Sequence, residues 1–237
     1  MKNSTKEIIN EINTYRDESK AAFLPRFFKT GKGEYGEGDQ FIGVVVPNLR
    51  IVAKKHFDAD FDTLRELLAS PYHEYRLTAL LALTYRYAKL KDHASRETCV
   101  NFYVSQVDAI NNWDLVDLSC YKILGHWLFD KDKQLLYDWA KENHLWKQRI
   151  AMISCMHFVK QGEFKDALAI ADLLQHHPHD LIHKAVGWIL REIGKEDEQL
   201  LVDYLTPRYK EMPRTMLRYA IERFEEGKRK AFLNSEI

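Results

Sequence analysis

Two short stretches of this 237-residue chain carry side chains suited to chemistry on a flat, positively charged group. In Asn111-Asn112-Trp113-Asp114-Leu115-Val116-Asp117 a carboxylate follows an indole by four residues. In Lys184-Ala185-Val186-Gly187-Trp188-Ile189-Leu190-Arg191 a guanidinium follows an indole by three. On a helix these separations stack each pair on one face, one turn apart. A carboxylate, a guanidinium and two indoles lining one cleft could hold a cation, and the acid could stabilise positive charge that develops in a reaction. Such a cleft demands helices that bring distant parts of the chain together.

The periodicity is helical from end to end. Ile8, Ile9, Ile12 and Tyr15 form an apolar face behind a cap at Ser4. Similar stripes recur at Leu64-Leu67-Leu68, Leu77-Leu80-Leu81-Tyr85, Val100-Tyr103-Val104-Val107 and Leu217-Ala220-Ile221-Phe224. The one strand-like run, Phe41-Ile42-Gly43-Val44-Val45-Val46, is too short and solitary to make a sheet and reads as an apolar connector packed under helices. Breaks at Pro47, Ser70-Pro71, Asp92, Gly162, Pro178 and Pro213 leave short links, hence antiparallel neighbours.

Cationic residues open apolar helices at Arg76, Arg149, Lys184 and Arg214, with the Trp113 helix between the first two. Helices therefore start at intervals of roughly 30 to 37 residues, the period of stacked helix pairs. The expectation is one all-α domain over residues 1–237, a curved solenoid of HEAT-like antiparallel helix pairs with about a dozen helices. In a solenoid, equivalent positions line one wall; here those include Arg76, Asp117, Arg149, Lys184, Arg191 and Arg218. Leu145 to Gln161 holds Lys147, Arg149 and Lys160 and no acid, and Arg208, Lys210, Arg214 and Arg218 form a second basic cluster. Thus a chain with 35 basic and 35 acidic residues can still present a basic groove.

With 46% hydrophobic residues the chain can bury a substantial core. Met1-Lys2-Asn3-Ser4-Thr5-Lys6 leads into an amphipathic helix without an apolar leader, and no run approaches membrane-spanning length, so a cytoplasmic protein is expected. Cys99, Cys120 and Cys155 lie far apart among apolar neighbours and read as buried free thiols. Gly31-x-Gly33-x-x-Gly36 matches a dinucleotide fingerprint by letter, but follows a helix and lacks a βαβ unit. His176-His177-Pro178-His179 with His183 lacks a partner set for metal and reads as a surface loop. Nothing in the sequence calls for a cofactor, metal or nucleotide.

The ordered triplet Trp113-Asp114-Leu115-Val116-Asp117, Trp146-Lys147-Gln148-Arg149-Ile150-Ala151 and Lys184-Ala185-Val186-Gly187-Trp188-Ile189-Leu190-Arg191-Glu192 resembles the AlkD-like DNA glycosylases of the alkylation-repair superfamily, built from HEAT-like repeats. The likeness runs from about residue 20 to about residue 225. It implies a catalytic aspartate at Asp117, cleft tryptophans at Trp113 and Trp188, and backbone-contacting arginines at Arg149 and Arg191. The family's early cleft aromatic, usually tyrosine after arginine, is Phe27 after Arg26. The sequence departs from the pattern at Thr30 to Gln40, a glycine-rich extension. The implied activity is excision of positively charged N3- or N7-alkylated purines from duplex DNA without base flipping, by a monomer that associates with the nucleoid when bound to DNA.

Plain structural readings stand beside these. Tryptophans on apolar helices commonly pack in cores, as expected of Trp127 and Trp146. Asp117 could cap or pair within the bundle, although Asp114, nearer the helix start, suits a supporting role better. Arg149 and Arg191 could be salt-bridge partners only. Two other functions compete: a non-catalytic member of the superfamily that binds distorted or branched DNA through the basic wall, and a HEAT-like protein-binding scaffold.

Overall fold

The computed structural model describes residues 4–237, so Met1, Lys2 and Asn3 of the amino-terminal run lie outside the described residues. The fold is all-α. Among the described residues the only β pairing is an isolated bridge between Gln40 and Tyr72. Contacts divide the chain into two compact units, Met1–Ile123 and Leu124–Ile237.

In the first unit, α1 (Thr5–Asn13) starts with a reciprocal capping box between Ser4 and Glu7 and buries Ile8 and Ile12. α2 (Glu18–Phe27), capped by Asp17, buries none of its residues. α3 (Val46–Lys55) carries Pro47 in its first turn, where a missing N–H costs nothing. α4 (Phe61–Leu68) and α6 (His93–Ser105) begin at the aspartate caps Asp60 and Asp92. Between them α5 (His73–Lys89) is buried over most of its length and packs against α3 and α4. A 3-10 turn (Val107–Ala109) leads to α7 (Trp113–Asp117), capped by Asn112 and packed on α5.

The apolar connector behaves as its composition suggests. Phe41, Ile42 and Val44 are buried without regular structure, and three consecutive N–H groups, of Ile42, Gly43 and Val44, donate to one oxygen of buried Glu74 at 3.1, 2.8 and 3.3 Å. One carboxylate thereby satisfies backbone donors that a strand would have paired. Gly43 is at φ +83 with a virtual Cβ 1.9 Å from the Asp17 carbonyl oxygen, so no side chain fits there.

After α7 comes a π-helical turn, Tyr121–Gly125. The second unit continues with α8 (His126–Leu128), α9 (Gln134–Lys141), α10 (Leu145–Ser154), α11 (Met156–Val159), α12 (Lys165–Leu174), α13 (Asp180–Glu196), α14 (Glu198–Leu205), α15 (Arg214–Ala220) and α16 (Glu226–Asn234). Its axis is α13, which packs against α10, α11, α12, α14 and α15. At Gly187 an added Cβ would lie 2.5 Å from both the Met216 carbonyl oxygen and the Tyr219 Cβ; glycine lets α13 and α15 pack closely. Cys99, Cys120 and Cys155 are buried free thiols, as expected.

Candidate nucleic-acid site

The helix starts prove to be in register. Asp117, Arg149, Lys184 and Arg218 are each the fifth residue of α7, α10, α13 and α15, and Arg76 is the fourth of α5. Equivalent position does not give equivalent exposure.

In the first unit α7 is short, and its two acids part company. Asp114 is buried in the first turn and accepts a 2.8 Å hydrogen bond from His73 Nε2. The other ring nitrogen of His73 lies 3.2 Å from Asp39, whose second oxygen meets the Arg76 guanidinium at 2.6 Å and the Asn111 amide at 3.1 Å. Burial alone would lower the His73 pKa; the Asp114 and Asp39 carboxylates outweigh it and raise the imidazole to about 9. His73 is thus charged at neutral pH, and two cations face two anions inside the unit. Burial likewise opposes ionisation of Asp39, yet His73 and Arg76 hold its pKa below the usual carboxylate range.

Asp117, one turn after Trp113, is half-buried at the other end of α7. It lies near Tyr103, a fully buried phenol pushed well above its usual pKa by burial, with the Asp117 charge adding to the rise. Trp113 is also half-buried, within an aromatic cluster. Phe28 stacks on it at 5.4 Å between centroids and touches His73 at 4.7 Å, while Phe27, 52% exposed, meets it edge-on at 5.8 Å. The structure therefore brings Phe27 and Trp113 together over Phe28 and His73, while Asp117 lies one turn further along α7, beside Tyr103.

The glycine-rich stretch contributes to that floor. Gly36 sits where a Cβ would come within 2.7 Å of the Phe28 carbonyl oxygen and 3.2 Å of the Asn112 side-chain nitrogen, so the loop packs on the cap of α7. Its last acid is Asp39. Sequence reasoning missed both Asp39 and His73, and no local pattern marks either one.

In the second unit Lys184, Trp188 and Arg191 recur at i, i+4 and i+7 along α13, all half-buried, while Ala185, Ile189 and Ile193 face the core. Lys184 pairs with Asp180 at 2.7 Å. Arg191 pairs with Glu222 beyond the end of α15 and lies 3.5 Å from Glu192. Arg218 is exposed.

Two expected phosphate contacts sit differently. Arg76 is only 6% exposed and committed to Asp39 and Asn111. Arg149 is 4% exposed and donates to the Leu181 carbonyl oxygen in the first turn of α13. Both guanidiniums satisfy internal acceptors, and drawing either out would leave buried polar groups unpaired. Trp146 is core, whereas Trp127 is half-buried with Lys131 4.2 Å above its ring. The histidine loop is used locally: His177 bonds Gln148 at 3.0 Å and His179 caps α13. Among the described residues no group of three metal-ligating side chains is placed to hold an ion, and no helix is long and apolar enough to cross a membrane.

An all-helical fold in which Asp117, Arg149, Lys184 and Arg218 take the same position at four helix starts is of the kind built from helical repeats. The profile of the DNA alkylation repair enzyme family matches residues 8–224, through both units, and the chain belongs to that family. Among solved structures it is similar to a protein described as a predicted DNA alkylation repair enzyme from Enterococcus faecalis, with TM-score 0.68 and 14% identity over 89% of this chain and 97% of that one. It is also similar to AlkD2 from Streptococcus mutans, with TM-score 0.55 and 15% identity over 88% of this chain and 99% of that one. At such identities the likeness is one of fold. No curated protein matches the chain.

Proposed function

We propose that the protein is a DNA glycosylase that removes cationic N3- or N7-alkylated purines from duplex DNA and leaves an abasic site. The observation that carries this reading is the division of labour on α7. Asp114 is spent on His73, while Asp117, one turn from Trp113, keeps partial access to solvent.

Alkylation gives the purine a positive charge, so the N-glycosidic bond can break with its electron pair passing to the departing base, which leaves neutral. The sugar left behind has oxocarbenium character. Asp117 stabilises that charge, orients the water that forms the new bond to C1′, and takes the proton it loses. The indole of Trp113 adds cation–π attraction of about 0.5 to 2 kcal/mol. Trp188 is assigned the same kind of contact, and Lys184, Arg191 and Arg218 the phosphates, which they position without reading sequence. Arg76 and Arg149 are assigned to the scaffold.

Incubation with methylated duplex DNA tests the reading: free 3-methyladenine or 7-methylguanine is expected. Salt-sensitive duplex binding with every base still attached would instead support a non-catalytic DNA-binding protein.

A further inference from the structure

The least explained surface of the first unit is α2. None of its ten residues is buried, yet it exposes Phe23 by 62% and Phe27 by 52%, four residues apart on one face. The two rings lie 6.4 Å apart with planes inclined by only 26°, and Phe27 continues edge-on to Trp113. Phe23 has no other ring neighbour among the described residues. Two large apolar rings held in water on a helix that buries nothing contribute little to folding, and such a patch marks an interaction surface.

The charges around it identify the occupant. Arg26, Lys29 and Lys32 are exposed, and none has an ion pair among the described residues. The acids of the adjoining loop, exposed like the cations, each spend a carboxylate oxygen on the loop's own backbone rather than on those cations: Glu34 accepts from the Gly31 N–H at 2.8 Å and Glu37 from the Gly33 N–H at 2.7 Å. Unpaired cations interleaved with exposed rings suit a strand whose phosphates are negative and whose bases offer flat π-faces. An acidic peptide would use the cations but has no need of two parallel phenyl faces.

We propose that Phe23 and Phe27 stack against an unpaired nucleobase beside the lesion, with Arg26, Lys29 and Lys32 holding the adjoining phosphates. This inference rests on the DNA-binding part of the reading above and is independent of base release. It extends the substrate from intact duplex to duplex with an unstacked base.

Fluorescence anisotropy on the full chain tests it, with a paired duplex and the same duplex carrying a single-base bulge, each titrated over salt. The bulged duplex should bind roughly tenfold more tightly, a preference that Phe23→Ala with Phe27→Ala abolishes. Phe23→Ala alone, which removes a 62% exposed ring whose one ring contact among the described residues is with Phe27, should reduce it and so guards against a folding defect. Arg26→Gln with Lys29→Gln should weaken both duplexes alike and lower the salt slope by about two. Equal affinity for the two duplexes in the unaltered protein, or a preference that survives loss of both rings, overturns the stacking role alone. Lack of salt-sensitive affinity for either duplex overturns the DNA reading with it.

Discussion

The α7 and α13 regions each set a tryptophan about one turn from a charged residue, yet they hold their charges in opposite ways. Around α7 the charges are inside: His73 lies between Asp39 and Asp114, and Arg76 closes the set. Along α13 they are at or near the surface, with Lys184 on Asp180 and Arg191 on Glu222. A buried pair is costly to break because the remaining charge loses its compensation, whereas an exposed pair contributes about 0 to 1 kcal/mol. A fixed framework suits the short helix that carries Asp117, the carboxylate that the proposed function sets against the reacting carbon. Loosely held cations suit a polyanion, since a phosphate can replace a carboxylate at little cost. The contrast is consistent with the proposed function, in which the first region carries the reaction and the second the grip.

The sharpest way to break that assignment is Asp117→Asn. In the proposed reaction it removes the charge that stabilises the oxocarbenium and accepts the proton, while keeping the shape of a half-exposed side chain. Base release should fall by about 10²-fold or more with duplex affinity nearly unchanged. A variant that excises as fast as the parent places the chemistry elsewhere.

Next in size is the buried network. Asp39→Asn leaves His73 and Arg76 short of one anion and should destabilise the fold by about 3 kcal/mol in denaturant unfolding. Glu222→Gln, which opens the corresponding surface pair, should shift stability by less than about 1 kcal/mol. Equal effects from the two would remove the contrast.

The same network should give the protein an alkaline limit. His73 has a folded-state pKa raised from 6.5 to about 9, so it binds its proton more tightly in the folded chain. Its stabilising contribution is fully present below pH 6.5 and disappears as pH rises through about 9. His73→Leu, which cannot titrate, should flatten the stability profile between these limits; a profile equally steep with and without the imidazole would show that other groups set it.

Much of this fold could be read from spacing. The Leu77, Leu80 and Leu81 stripe of α5, the Ser4 cap of α1 and the apolar connector are all local patterns; the first two are found where such patterns put them, and the connector is buried over Phe41 to Val44, with Val45 exposed and Val46 opening α3. The resemblance of the Trp113 and Trp188 motifs to a known family located the candidate residues. The partners of the charges were not legible. His73 and Asp39 are 34 residues apart, and a long-range ion pair leaves no period in the sequence. Arg76 and Arg149 occupy helix starts equivalent to that of Lys184, but a long side chain can turn inward or outward from the same backbone position. Its direction depends on whether an acceptor such as Asp39 or the Leu181 carbonyl waits inside.

The finest test of the contrast is binding by the Glu222→Gln protein. Arg191 is paired with Glu222, so if Arg191 holds a phosphate as the proposed function has it, DNA must displace a carboxylate before it gains the guanidinium. Removing that competitor should tighten binding to any duplex severalfold, independently of sequence or lesion, and steepen the dependence of log Kd on log salt by about one phosphate's worth. Base release at saturating DNA should not change, because the proposed function gives Arg191 a backbone contact and no part in the chemistry. If affinity instead falls, Glu222 positions Arg191 for DNA, and the second region is preorganised like the first.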